Sequence, residues 1–333
     1  MGVRLQDVAE RAGVSVRTVS NVVNDFAHVA PATRTRVQQA LDELGYRPNL
    51  AARQLRTGRT GLVALVVPEI ASPYFSELAA YLVDEAEDHG LTLLVDQTRG
   101  DPARELRLLS GERAQHVDGV IVSPWGVDPT DPVVPSRMPV VLLGERAGGG
   151  AADHISIDNV AAAADATEHL LGLGRTRVAV IGHQPHLRNG TAAQRLAGYR
   201  LARERVGADV AAERVEPVQS LHREDGARAM ARLLDAPASA DAVFCFTDEL
   251  ALGALRTCGD RGVRVPDDIA IVGFDDIEDG RYATPSLSTV SPDKAEIARA
   301  AMAALAGRLS GTGGPPREVT VEHRLLVRES SAG

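Results

Sequence analysis

Four positions separate Arg17 from Asn21 in the stretch Val14-Ser15-Val16-Arg17-Thr18-Val19-Ser20-Asn21-Val22-Val23-Asn24. A guanidinium can pair with both acceptors that guanine shows in the major groove of a duplex, and a carboxamide can pair similarly with adenine. Val16 offers an apolar contact to a thymine methyl group. Ser20, Thr18, Asn24, His28, Thr33 and Arg34 carry groups that hold phosphate oxygens, contacts that position a protein without reading sequence. His28 is equally at home as a solvated loop residue, and Arg4 as a solvated cation.

Such groups read bases only when a rigid element carries them into the groove. Leu5, Val8, Ala9 and Ala12 recur at helical spacing, and Gly13 interrupts them. Glycine enters a left-handed conformation without steric cost, so a sharp turn fits there. Ser15 can cap a second helix with its hydroxyl. That helix buries Val19, Val22 and Val23 and leaves Val16, Arg17, Ser20 and Asn21 facing outward. Pro31 can open a third helix, where Val37, Leu41 and Leu44 follow at i, i+4 and i+7 before Gly45 ends it. Two short helices joined by a glycine turn, the second carrying exposed polar groups, describe a helix-turn-helix. A helical hairpin that binds nothing is the alternative.

Charge is distributed to match. The chain of 333 residues carries a formal −9, yet residues 1–60 hold nine Arg and five acids, a formal +4. The other 273 residues carry −13. A small cationic unit on an acidic body suits a protein whose head alone approaches phosphate. Cys245 and Cys258, the only cysteines, lack zinc-ligand spacing and fall on a predicted strand and helix, so they read as packed thiols. No long apolar segment marks the start of the chain, and the run Leu62–Val67 suits a buried strand rather than a membrane span. A cytoplasmic location is expected.

From Thr60 onward, apolar strands alternate with helical stretches: strands at 62–67, 91–95, 117–122, 140–143 and 154–157, with helices at 75–89 and 103–116. The alternation then restarts, with helices at 160–173, 192–206, 224–234 and 248–261 and strands at 178–181, 214–217, 242–246 and 269–273. Such βαβ alternation implies a parallel sheet covered on both faces, here two doubly wound units of similar size. Ligands settle outside the carboxyl ends of strands in folds of this kind. Loops at those ends carry Tyr74, Phe75, Asp96, Trp125, Glu145, Arg146, Asp158, Arg195, Leu221, Thr247 and Asp275. Aromatic residues make up only 3% of the chain, yet Tyr74, Phe75, Trp125 and Phe274 all fall on these loops. A few apolar faces with convergent charged hydrogen-bonders suit a small neutral carbohydrate, whose hydroxyls acids and Arg can satisfy bidentately. The sequence leaves Asp248 open between ligand and helix N-cap, and Asp276 between ligand and structural group.

One family joins the two halves. Asp7-Val8-Ala9, Ala12-Gly13-Val14-Ser15, Thr18-Val19-Ser20, Val23-Asn24, Gly45-Tyr46, Pro48-Asn49 and Ala52-Arg53 with Leu55 resemble the DNA-binding headpiece and hinge of the LacI/GalR family of bacterial transcription regulators. Family-like segments continue to Arg328, so the resemblance covers essentially the whole chain. It implies an all-α helix-turn-helix headpiece followed by a two-lobed α/β core like that of periplasmic binding proteins. The expected division is headpiece 1–46, hinge 47–59, first lobe 60–160 with 290–320, and second lobe 161–289 with 321–330. The chain would cross between lobes near 158–161, 289–292 and 318–321, with helix 294–309 returning to the first lobe. Asn49 to Leu55 would fold into a hinge helix when paired with its twin on the operator, and Leu55 would wedge into a central minor-groove step. Leu5 and Ala52 complete the set of implied DNA contacts.

In the cleft, the resemblance points to Arg195 and Asp275 as the strongest effector ligands, ahead of Glu145, Arg146, Asp158, Thr247 and Tyr74. Leu221 stands where several relatives place a stacking aromatic, Thr247 where Asn is frequent, and Asn21 where many have Arg. The implied partners are an inverted-repeat operator duplex, a small effector and a second copy of the chain. A dimer is expected because no trailing leucine heptad follows. No membrane contact and no cofactor or metal is expected.

Two other classes of function fit less well. No G-x-S-x-G, H-E-x-x-H, phosphate-binding glycine loop or dinucleotide fingerprint appears, so catalysis lacks its usual carriers. A transport-type binding protein would explain two lobes but not residues 1–60, and would need an export signal.

Overall fold

The computed structural model describes residues 3–23, 26, 28–46, 58–109, 116–126, 138–144, 152–186, 190–207, 214–237 and 239–332. The chain divides into two compact units, Met1–Thr60 and Gly61–Gly333.

In the first unit, α1 (Leu5–Ala12) buries Val8, Ala9 and Ala12. It ends at Gly13, whose φ of +64° lets the Val14 amide donate back to the Ala9 carbonyl at 3.0 Å. Ser15 closes the turn: its hydroxyl accepts from the Thr18 amide at 3.1 Å, one of the orphan donors at the start of α2 (Val16–Val23). Val19 and Val22 of α2 are buried, and Val23 packs partly against them. Pro31 is the first residue of α3 (Pro31–Leu44), which contributes Val37, Ala40 and Leu41 to the same small core. The helix-turn-helix predicted from the glycine and serine spacing is therefore present.

The second unit holds two six-stranded sheets. In the first lobe, β1 (Leu62–Val67), β2 (Thr92–Gln97), β3 (Gly119–Val122), β4 (Val140–Leu143) and β5 (Asp153–Ile157) alternate with α4 (Pro73–Asp88) and α5 (Pro102–Leu109). The second lobe contains β6 (Val178–His183), β7 (Arg214–Pro217), β8 (Ala242–Cys245), β9 (Ala270–Phe274) and β10 (Ser288–Pro292). Its helices are α6 (Asn159–Gly172), α7 (Thr191–Arg205), α8 (Arg223–Asp235), α9 (Asp248–Asp260) and α10 (Glu278–Arg281). The chain then returns to the first lobe through α11 (Lys294–Ser310) and β11 (Glu318–Val321), and ends in the second with β12 (His323–Leu326).

The order β11-β5-β4-β3-β1-β2 is parallel throughout, and β10-β9-β8-β6-β7 is parallel as well. Central strands such as β3, β8 and β9 are buried along their whole length, as helices on both faces require. The difference from expectation lies at one edge. β12 pairs with β10 antiparallel, because it enters its lobe from the side where the parallel strands end and must run away from it. The crossing after β10 follows Pro292, since Thr289 and Val290 still pair with β9.

Each lobe has its own core, with α11 delivering Ile297, Ala301, Met302 and Leu305 to the first and α6 delivering Ala162, Ala166 and Leu170 to the second. Cys245 and Cys258 are free and buried in the second core, where burial pushes the Cys258 thiol up to about 11. No helix among the described residues is long and apolar enough to cross a membrane.

Candidate functional site

Two surfaces carry the chemistry, one on each unit. On the head, α2 presents Val16 and Arg17 to solvent beside half-buried Ser20 and Asn21. Thr18 is turned toward the turn, its hydroxyl 2.9 Å from that of Ser15. His28 is exposed and meets Phe26 edge-on at 5.6 Å, and Arg34 donates to the Phe26 carbonyl at 2.8 Å. Thr33 is half-buried in the first turn of α3, and Leu5 packs against the headpiece core. Asn24, Asn49, Ala52 and Leu55, and with them the predicted hinge helix, lie outside the described residues.

On the core, the carboxyl ends of strands from both sheets face one cleft of about 1040 Å3 including its solvent-open mouth. Its floor is built around Arg195 on the first turns of α7, only 4% exposed. The guanidinium lies over the Phe274 ring, 3.3 Å from its centroid. Its Nε donates to Asn159 Oδ1 at 2.8 Å, one terminal nitrogen donates to the Phe246 carbonyl, and the other stands 3.8 Å from Asp275 Oδ1. A buried cation thus has an anion and two acceptors to offset its desolvation. Asp275 follows β9 with φ +112°, a backbone that non-glycine residues rarely adopt, and such strain concentrates at functional sites.

Tyr74, Phe75, Trp125, Leu221 and Thr247 line the same cleft, together with Arg195 and Asp275. Asp96 and Asp158 are not brought there. Asp96 is held at 2.9 Å by Arg104 of its own lobe, and Asp158 caps α6 by accepting from the Ala161 amide at 2.8 Å. Glu145 and Arg146 lie outside the described residues. The two open assignments resolve in one direction. The N-cap of α9 is Thr247, which accepts from the Leu250 amide at 3.2 Å. Asp248 is fully buried and accepts from Thr289 Oγ1 at 2.7 Å and the Ile277 amide at 2.9 Å. Burial, with Asp275 nearby, pushes the Asp248 carboxyl well up. Asp276 is structural too: burial raises its carboxyl, but Arg328 and Arg281 outweigh this and hold it below the ordinary range.

Several lining residues stand outside the candidate ligands named from the sequence. Glu69 reaches from the loop after β1 and lies 3.3 Å from His222 of the other lobe. Glu249 accepts from Arg223 at 2.6 Å at the same mouth. Ser72, Ser123, Ser156, Thr191 and Ser220 add hydroxyls. Glu69 and His222 were open to discovery, since both follow strands at their carboxyl ends; the serines carry no distinguishing signal.

A helix-turn-helix head joined to a cleft between two α/β lobes defines a DNA-binding regulator with a ligand-binding core. Comparison with known proteins agrees. The family model for bacterial regulatory proteins of the lacI family matches residues 4–49, and a periplasmic binding protein-like domain matches residues 167–331. The transcriptional regulator DegA of Bacillus subtilis is 31% identical, covering 100% of this chain and 99% of that one. Among solved structures, a complex of the regulator CelR with cellobiose is 32% identical over 98% of this chain and 99% of the other, with a TM-score of 0.71. The lac repressor dimer bound to operator and an anti-inducer is 26% identical over the full length of both chains, with a TM-score of 0.83. The chain belongs to the LacI family of bacterial regulatory proteins, and is a DNA-binding transcriptional regulator.

Proposed function

We propose that the protein is a homodimeric, cytoplasmic repressor that grips an inverted-repeat operator and releases or tightens its hold when a small neutral carbohydrate enters the cleft. In this reading α2 lies in the major groove, with Arg17 and Asn21 on base edges, Val16 on a thymine methyl, and Ser20, Thr18, Asn24, His28 and Thr33 near the backbone. Asn49, Ala52 and Leu55 of the hinge act in the adjacent minor groove. Binding rather than catalysis is the role of the core: Arg195 and Asp275 hold sugar hydroxyls, and Trp125, Phe75 and Tyr74 cover the apolar ring faces.

The observation that carries the ligand reading is the Arg195–Asp275 pair over Phe274, a polar grip with an aromatic wall at the floor of an open cleft. The cellobiose complex of CelR, similar along nearly the whole chain, supports a sugar. Operator sites selected from random duplexes, followed by calorimetry of the full-length protein with a panel of mono- and disaccharides, test it. Sugar binding that shifts operator affinity is expected; binding confined to purines or amino acids would overturn the carbohydrate.

A further inference from the structure

Lys294 is the only lysine in the chain, and its side chain is 9% exposed. It begins α11, two residues after the chain leaves the second sheet. An ammonium has three protons to donate, and here each finds an acceptor. One goes to Glu77 on α4, one to the Asp275 carbonyl at 2.8 Å, and one to the Asp276 carbonyl at 3.0 Å. The other carboxylate oxygen of Glu77 accepts from the Glu278 amide at 2.9 Å. A single carboxylate of the first lobe therefore holds the segment 275–278 of the second, twice over.

That segment is the strained one. Asp275 and Asp276 have φ of +112° and +48°, conformations that persist only when the surroundings impose them. Within the second lobe, the side chains of Asp276 and Asp248 brace the loop through Arg328, Arg281 and the Ile277 amide. The two backbone carbonyls, by contrast, accept from the Lys294 ammonium. Because Glu77 belongs to a helix of the other lobe, the loop's geometry depends on how the lobes meet.

We propose that Lys294 is the positioning residue of the cleft: it fixes the Asp275–Asp276 backbone so that the Asp275 carboxylate faces Arg195, and through Glu77 it ties that geometry to α4. A change in lobe angle then loosens the loop, and a ligand that orders the loop favours one lobe angle, a coupling that runs equally in both directions. The proposal deepens the reading of the cleft given above and rests on it for the identity of the site.

The test uses the full-length protein without any sugar. An N-hydroxysuccinimide acetate probe modifies the chain's amino terminus and Lys294, and mass spectrometry separates the two. Lys294 should acetylate at least roughly tenfold more slowly than in the same chain unfolded in guanidinium chloride, a factor equivalent to ~1.4 kcal/mol. Glu77→Gln should recover most of the unfolded rate. Hydrogen exchange of Lys294→Met should quicken at the amides of 276–278 and in α4, while α8 and the core strands of the second lobe stay as in the parent, which a general loss of stability would not allow. Lys294→Arg, which keeps the cation and its donors, should restore most of the protection. Acetylation of the parent at the unfolded rate, or exchange in Lys294→Met that is unchanged or faster everywhere, overturns the proposal. A cleft that takes no sugar would defeat the ligand reading and leave these results standing.

Discussion

At the scale of single residues, the same side-chain type serves opposite ends according to its neighbours. Asp275 faces a buried guanidinium in an open cleft, whereas Asp276, next in sequence, is consumed by Arg328, Arg281 and Ser291. The Asp276 carboxyl titrates below its ordinary value of 3.8, so its contribution to stability is complete above that value and lost as pH falls through the lowered one. Urea unfolding of the parent and of Asp276→Asn between about pH 6 and about pH 2 should therefore show the largest difference at the upper end, shrinking toward the acid end. Arg17 calls for a different readout. If it reads guanine, Arg17→Ala costs about 1–3 kcal/mol on the selected operator and relaxes preference at one base pair per half-site, which a competition titration against singly substituted duplexes measures. A uniform loss across all duplexes would make Arg17 a phosphate contact instead.

At the scale of elements, what was legible in the sequence depended on local chemistry. Gly13, Ser15 and Pro31 mark the helix ends of the head, and each acts within one turn of itself, so periodicity and punctuation sufficed. Unbroken apolar runs gave β1 and β4 to the residue. The antiparallel β12 was not legible, because its direction follows from the side on which the chain enters its lobe, a property of the assembled fold. The cleft was half legible for the same reason. Strand ends located Tyr74, Trp125, Thr247 and Asp275, but nothing local reveals that Asp96 is claimed by Arg104, that Asp158 is spent capping α6, or that Glu77 meets a lysine 217 positions away.

Helix packing supplies a prediction at this scale. A methyl group on Gly253 of α9 would lie 1.9 Å from the Arg223 carbonyl at the start of α8, a contact that backbone cannot yield to cheaply. Alanine ordinarily gains up to about 1 kcal/mol over glycine inside a helix. Here overpacking should outweigh it, and Gly253→Ala should lower stability in urea unfolding by a net ~1–2 kcal/mol. The hinge supplies another. On the proposed hinge role, Leu55→Ala should weaken operator binding strongly in a gel-shift titration while leaving sugar binding in the cleft unchanged, because a wedge of that kind acts only on bent DNA. Equal operator affinity would remove the wedge from the account.

At the scale of the whole molecule, the division of charge and the division of labour coincide. The formal +4 of residues 1–60 sits on the unit that presents Arg17, and the formal −13 on the unit that holds the cleft. Effector leverage over DNA is bounded by the difference in ligand affinity between two lobe arrangements, so a tight ligand with no preference would change nothing. The direct measurement is titration of the full-length protein onto its selected operator at low and moderate salt, with and without the best-binding sugar. The account predicts sequence-specific binding with a steep loss on added salt, and an affinity that the sugar moves by about 5- to 150-fold, the usual span of such coupling. Binding to no duplex at low salt, or operator affinity indifferent to a sugar that demonstrably fills the cleft, would contradict it.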